Sequence, residues 1–166
     1  METLPAPDFP TGGELILEPE QMAEIYRTGR GSFKVRAKWQ YLKKENIIEI
    51  TEIPYTATIE AIIDKTTDLI KQGKVREISD MRDESGLSGL KIAIDLKRGA
   101  DPDKLMMKLM KMTPLMDAFG CNFNVLIDGT PRVMGVRQIL EEWTKWRAGC
   151  IRRRVCFDLE KKREKL

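Results

Sequence analysis

Between Phe33 and Tyr41 apolar and polar side chains alternate at every position. A run with period two sorts cleanly only as a strand, with Phe33, Val35, Ala37, Trp39 and Tyr41 on one face and Lys34, Arg36, Lys38 and Gln40 on the other. One face can close on a core. The other carries three cations in a row, and like charges spaced this way repel unless water or an anion lies against them. Just upstream, Arg27 and Arg30 flank Gly29 and Gly31, whose freedom to take positive φ suits a turn that approaches another molecule closely. The cationic face fits a polyanionic partner, and it also fits an ordinary solvated sheet.

The surrounding pattern supplies the rest of a mixed fold. Pro5, Pro7, Pro10 and Gly12-Gly13 make residues 1–18 an extended lead-in arm, with a short strand at Leu15 to Leu17. Pro19 suits the first position of a short helix with Met22, Ile25 and Tyr26 on its apolar side. Lys43-Lys44-Glu45-Asn46 forms a polar turn, and Ile47 to Ile53 is a second strand, antiparallel to the first. Thr58 caps a helix whose apolar positions Ile59, Ile62, Ile63, Thr66, Leu69 and Ile70 follow helical spacing, with Gly73 at its C′ position. Val75 to Met81 is expected as a short strand and Arg82 to Gly86 as the start of a polar loop. Lys91 to Lys97 alternates again. Asp101 and Pro102 start a helix with Leu105, Met106, Leu109 and Met110 on its core side, and Thr113-Pro114 stops it. Cys121 to Ile127 is a further strand, closed by the turn pair Asp128-Gly129.

From Val136 no proline follows, and only Gly149 interrupts a helix of some thirty residues, expected to protrude from a domain this small. The fold expected is α+β: a two-layer arrangement of a mixed or antiparallel sheet with packed helices and a long protruding C-terminal helix. Residues 1–18 form the arm, 19–135 an α/β domain, and 136–166 the long helix. At 166 residues the chain can bury one sizeable core.

Residue content narrows the chemistry. There is no histidine, which removes histidine-based triads, imidazole bases and most zinc sites. Cys121, Cys150 and Cys156 form no Cys-x-x-Cys pair, which suits a reducing cytoplasm. No apolar run approaches the length of a membrane span. Asp80, Asp83 and Glu84 fit a divalent cation less well than salt bridges to Arg76 and Arg82. Gly29-Arg30-Gly31 lacks the spacing and following lysine of a phosphate loop, and Ser85 to Gly89 has no histidine to activate a nucleophile. No catalytic residue and no metal ligand is assigned. The basic clusters offer more: eleven of the 29 Lys and Arg, against five of the 26 Asp and Glu, lie from Arg132 onward. Arg152, Arg153 and Arg154 fan around the long helix, after Trp143 and Trp146. Tryptophan among cations fits nucleic acid, and it also fits a core.

Several motifs, in order, carry a resemblance: Pro7-Asp8-Phe9-Pro10-Thr11-Gly12-Gly13, Tyr26-Arg27-Thr28-Gly29-Arg30-Gly31, Thr51-Glu52-Ile53-Pro54-Tyr55 and Arg82-Asp83-Glu84-Ser85. Thr113-Pro114-Leu115, Asp128-Gly129 with Pro131-Arg132, and Arg152-Arg153-Arg154 continue it. The chain resembles the A subunit of bacterial type IIA DNA topoisomerases, gyrase and topoisomerase IV. The resemblance implies the tower domain, an α/β unit that flanks duplex DNA and leads through a long helix towards a coiled-coil gate. It implies a parent enzyme that breaks, passes and rejoins duplex DNA, partnered by B subunits and by a second A subunit in an A2B2 assembly in the bacterial cytoplasm, at the nucleoid. ATP and Mg2+ would belong to the partner subunit, with no cofactor in this fragment. The DNA-breaking tyrosine follows an arginine in that family, whereas Tyr26, Tyr41 and Tyr55 follow Ile, Gln and Pro, so the fragment alone is expected to be inactive. Arg27, Arg30, Lys34, Arg36, Lys38, Arg152, Arg153 and Arg154 become the candidate DNA contacts. The alternative is a structural spacer or protein-interaction module without direct DNA contact.

Overall fold

The computed structural model describes residues 3–87 and 89–165, so Ser88 of the Ser85 to Gly89 loop and the terminal Leu166 lie outside the described residues. Among the described residues the protein is an α+β fold with antiparallel strand pairs and four helices. In chain order the elements are β1 (Glu14–Ile16), α1 (Pro19–Thr28), β2 (Arg30–Arg36), β3 (Lys38–Leu42), β4 (Ile47–Glu52), α2 (Ile59–Lys71), β5 (Ile78–Asp83), β6 (Ile92–Leu96), α3 (Pro102–Met112), β7 (Met116–Asn122), β8 (Asn124–Ile127), β9 (Thr130–Val133) and α4 (Val136–Arg163). Two compact units share them: Met1–Leu17 with Phe33–Phe119, and Glu18–Ser32 with Gly120–Leu166.

The first unit is built on a four-stranded antiparallel sheet ordered β3-β4-β6-β5. Ile48, Ile50, Ile92 and Ile94 are fully buried and pack with Ile62 and Leu69 of α2 and Leu105, Met106 and Leu109 of α3. Each such side chain contributes about 1.5–3 kcal/mol of burial. The helices start where the sequence sets their caps. Thr58 accepts from the Ala61 amide at 3.2 Å, and Asp101 accepts from the amides of Asp103 and Lys104 at 3.1 and 3.2 Å. On the sheet's other face Arg82 bonds Asp95 and Asp80, Lys91 reaches Glu49 at 2.7 Å and Glu84 at 3.2 Å, and Gln40 donates to Glu49. Asp95 first, then Asp80, push the Arg82 guanidinium above its ordinary value.

The run from Phe33 to Tyr41 is two strands. Burial alternates as expected, but at Ala37 the chain leaves the three-stranded sheet β1-β2-β7 and enters the four-stranded one. Ala37 itself is fully buried, and its amide donates to the Leu115 carbonyl at 2.7 Å, which diverts the ladder. A register shift between Lys38 and Trp39 marks the start of the new pairing.

Two other strands are also displaced. The strand expected at Val75 to Met81 begins at Ile78, because the amides of Lys74 and Val75 turn back to the Leu69 carbonyl at 3.0 and 3.2 Å and close α2. It runs on to Asp83, so Arg82 and Asp83 stand in a strand instead of a loop. The strand expected over Cys121 to Ile127 is broken at Phe123, whose amide donates to the Gly29 carbonyl at 2.8 Å while its carbonyl accepts from Met134 at 3.1 Å. Beyond the break β8 and β9 form a hairpin about Asp128 and Gly129, both at positive φ.

In the second unit Met22, Ile25 and Cys121 are buried. The long helix α4 has 28 residues, none of them fully buried, and residues 151–165 are all exposed. Trp143 and Trp146, which could have been core, stand 56% and 60% exposed.

Candidate nucleic-acid interface

Strand β2 puts Phe33 and Val35 into the core and leaves Lys34 and Arg36 exposed. Register decides what meets them. Glu14 lies opposite Arg36 in the β1–β2 ladder, and the Arg36 Nε donates to its carboxylate at 2.7 Å. Glu52 lies opposite Lys38 in the β3–β4 ladder and accepts from the Lys38 Nζ at 3.0 Å. Opposite Lys34 stands Ile16, and among the described residues Lys34 makes no ion pair. The row therefore carries one bare cation and two that lean on carboxylates. Both pairs are open to water, and such pairs are worth about 0.2–1 kcal/mol, weak enough for a phosphate to displace the acid.

Glu52 does more than screen Lys38. Its other oxygen accepts from the Gly13 amide at 2.7 Å and fastens the arm to β4. The Gly13 amide first, and Lys38 second, hold the Glu52 carboxyl below its ordinary value. An aromatic group pins the same arm: the Phe9 ring stacks on Tyr55 at 6.0 Å and meets Phe119 edge-on at 4.8 Å. The Pro7 to Gly13 motif is thus a clasp within the first unit.

In the second unit Arg27 forms two hydrogen bonds with Glu24 one turn earlier, at 2.9 and 2.7 Å, and pulls the Glu24 carboxyl below its usual range. Arg30 is exposed and without an ion pair among the described residues. The glycine beside them has a different task from the one its sequence suggests. Gly29 ends α1 in the left-handed region, and a Cβ there would collide with the Met134 carbonyl. Gly135, at the root of α4, is its counterpart: a Cβ there would collide with the carbonyls of Tyr26 and Arg27. Backbone packs on backbone at this joint, so Gly29 serves an approach within the protein.

Arg152, Arg153 and Arg154 occupy successive positions of α4, about 100° apart around its axis. All three are exposed, and Arg153 reaches the Cys150 sulfur at 3.1 Å. The two carboxylates that screen Arg36 and Lys38, namely Glu14 and Glu52, meet them only through strand register, which the sequence pattern does not encode.

The three tyrosines differ in their surroundings. The Tyr41 hydroxyl donates to Asn46 at 2.9 Å, Tyr55 stacks on Phe9, and the Tyr26 hydroxyl is buried without a partner, its pKa raised by desolvation and then by Cys121. Among the described residues no group of three or more acidic or cysteine side chains converges as a metal site, and no helix is long and apolar enough to cross a membrane.

A family model for the A subunit of DNA gyrase/topoisomerase IV matches residues 1–166. The chain belongs to the gyrase and topoisomerase IV A-subunit family. It is 40% identical to the DNA gyrase A subunit of Clostridium acetobutylicum over 164 residues, covering 97% of this chain and 20% of that protein. It is 38% identical to the DNA topoisomerase 4 A subunit of Synechocystis, covering 98% of this chain and 19% of the relative. The chloroplastic/mitochondrial DNA gyrase A subunit of Arabidopsis thaliana is also 38% identical, covering 96% and 17%. The chain thus spans about a fifth of the length of these curated relatives.

Proposed function

We propose that this chain is the tower segment of the A subunit of a type IIA topoisomerase and that its exposed cations position duplex DNA for a parent enzyme that breaks, passes and rejoins it. The observation that carries this reading is the cationic run across β2 and β3: Lys34, Arg36 and Lys38 face solvent while Phe33, Val35 and Ala37 anchor the same chain in the core. Contacts of this kind go to the phosphate backbone and fix a duplex in place without reading its sequence. Arg27, Arg30 and the Arg152 to Arg154 cluster are further phosphate contacts in this reading. The chain supplies no DNA-breaking tyrosine. A B subunit bringing ATP and Mg2+, a bacterial cytoplasmic setting and a second A subunit belong to the parent assembly.

The test is binding of a fluorescent duplex to the chain across a salt series. Replacing Arg30 and Lys34 with Glu should weaken binding strongly, and each lost phosphate contact should flatten the salt dependence by about 0.9 in log–log slope. Unchanged binding by that variant removes the assigned surface. A second reading, a spacer that docks protein instead of DNA, draws on the acid partners of Arg27, Arg36 and Lys38. Gel filtration with and without duplex separates the two, since a spacer gives no salt-sensitive shift.

A further inference from the structure

The long helix carries two half-exposed tryptophans beside the β8–β9 hairpin. Trp143 and Trp146, one turn apart on α4, line a cavity of about 500 Å³ whose opposite wall is the β8–β9 hairpin. Val125, Ile127 and Ile139 add apolar lining, as does Leu126 of the hairpin, itself 72% exposed. A concave, mostly apolar space of this size is of the class that takes a small organic molecule.

Charge narrows which molecule. Three charged side chains line the space: Asp128, Glu142 and Lys145. Glu142 and Lys145 neutralise each other at 2.7 Å, and Glu142 accordingly pushes the Lys145 amine up. Asp128 has no ion pair among the described residues, and the hairpin turn holds it at φ 51°. Outside the lining, Arg137 is engaged with Glu141 at 2.9 Å and Arg132 stands on β9. The lining thus combines one uncompensated carboxylate with two indole rings, whose faces attract positive charge.

We propose that the groove between the β8–β9 hairpin and the first turns of α4 binds a small planar aromatic cation, its ring against Trp143 and Trp146 and its positive nitrogen towards Asp128. This site is independent of the DNA reading.

The experiment titrates the chain with N-methylquinolinium and with neutral quinoline while following the tryptophan indole N–H resonances by heteronuclear NMR. The Trp143 and Trp146 signals should move saturably while that of Trp39 stays. Quinoline should bind more weakly by about threefold or more, as loss of a cation–π and carboxylate contact at an open site implies. Asp128→Asn preserves the turn, since Asn accepts positive φ readily, and should weaken the cation by a similar factor. Three results overturn the proposal: no saturable movement, equal binding of quinoline and its cation, or signals that move with protein concentration instead of ligand, which would mean that a second copy covers the groove.

Discussion

If a carboxylate screens a cation meant for phosphate, removing the carboxylate should strengthen DNA binding, and Glu14→Gln is the cleanest case. Glu14 lies on a three-residue edge strand and touches Arg36 through a single 2.7 Å hydrogen bond, with both side chains nearly half exposed. Losing so open a pair costs about 0.2–1 kcal/mol of stability, so the fold should be unaffected. For DNA the same change frees one guanidinium that otherwise has to be pulled from its acid. Taking that cost as about 1 kcal/mol, affinity should rise about fivefold at fixed salt. The log–log salt slope should steepen by about 0.9 if Arg36 then releases one more counterion. Fluorescence anisotropy of a labelled duplex measures both quantities. Repeating the substitution in an Arg36→Gln background should leave only the small, general effect of one less negative charge. Screening by Glu14 is refuted if Glu14→Gln changes neither quantity, or if its gain survives in full without Arg36.

The joint at the root of α4 predicts opposite effects for two glycines, one at the N-cap of the helix and one inside it. Gly135→Ala should destabilise the second unit by about 2 kcal/mol, because its Cβ meets carbonyls that cannot retreat, whereas Gly149→Ala, in an exposed stretch of α4 with nothing nearer than the Arg153 guanidinium at 3.5 Å, should stabilise the helix by about 0.5–1 kcal/mol. Urea unfolding followed by circular dichroism tests both, and equal effects would contradict the joint. The Glu52 clasp should be pH-dependent: its carboxyl is held low in the folded chain, so its contribution is complete above the ordinary carboxylate range and lost as pH falls below it. Hydrogen exchange at the Gly13 amide should accelerate over that acid window relative to neighbouring amides, and Glu52→Gln should lose the dependence. Asp101→Ala, which removes the carboxylate that accepts from two amides of α3, should lower the unfolding midpoint in the same urea assay.

Much of the fold could be read from the chain because local chemistry decides it. Thr58 and Asp101 start α2 and α3, the Asp128-Gly129 pair turns the hairpin, and the alternation after Phe33 correctly separates buried from exposed residues. Alternation encodes parity alone, however. Which strand lies alongside is set at Ala37 by the carbonyl of Leu115, far away in sequence, and the break at Phe123 is set in the same way by Gly29 and Met134. The candidate surface divides along the same line. The exposure of Lys34, Arg36 and Lys38 follows from the pattern, but their counter-charges do not, since Glu14 and Glu52 meet them only through register. The glycines of the Tyr26 to Gly31 motif misled for a related reason: the partner that needs Gly29 small is the backbone at Met134, more than a hundred residues onward.

The most direct measurement places a photo-crosslinking side chain at position 34, and separately at position 91, and irradiates each with a labelled duplex. Lys34 is the bare cation of the strand, whereas Lys91 is held by Glu49 and Glu84 on the polar face of the four-stranded sheet. Crosslinking from position 34 that salt suppresses, with little from position 91, is the predicted result. Equal labelling from both positions, or none from position 34, would contradict the claim that this strand lies against a DNA backbone.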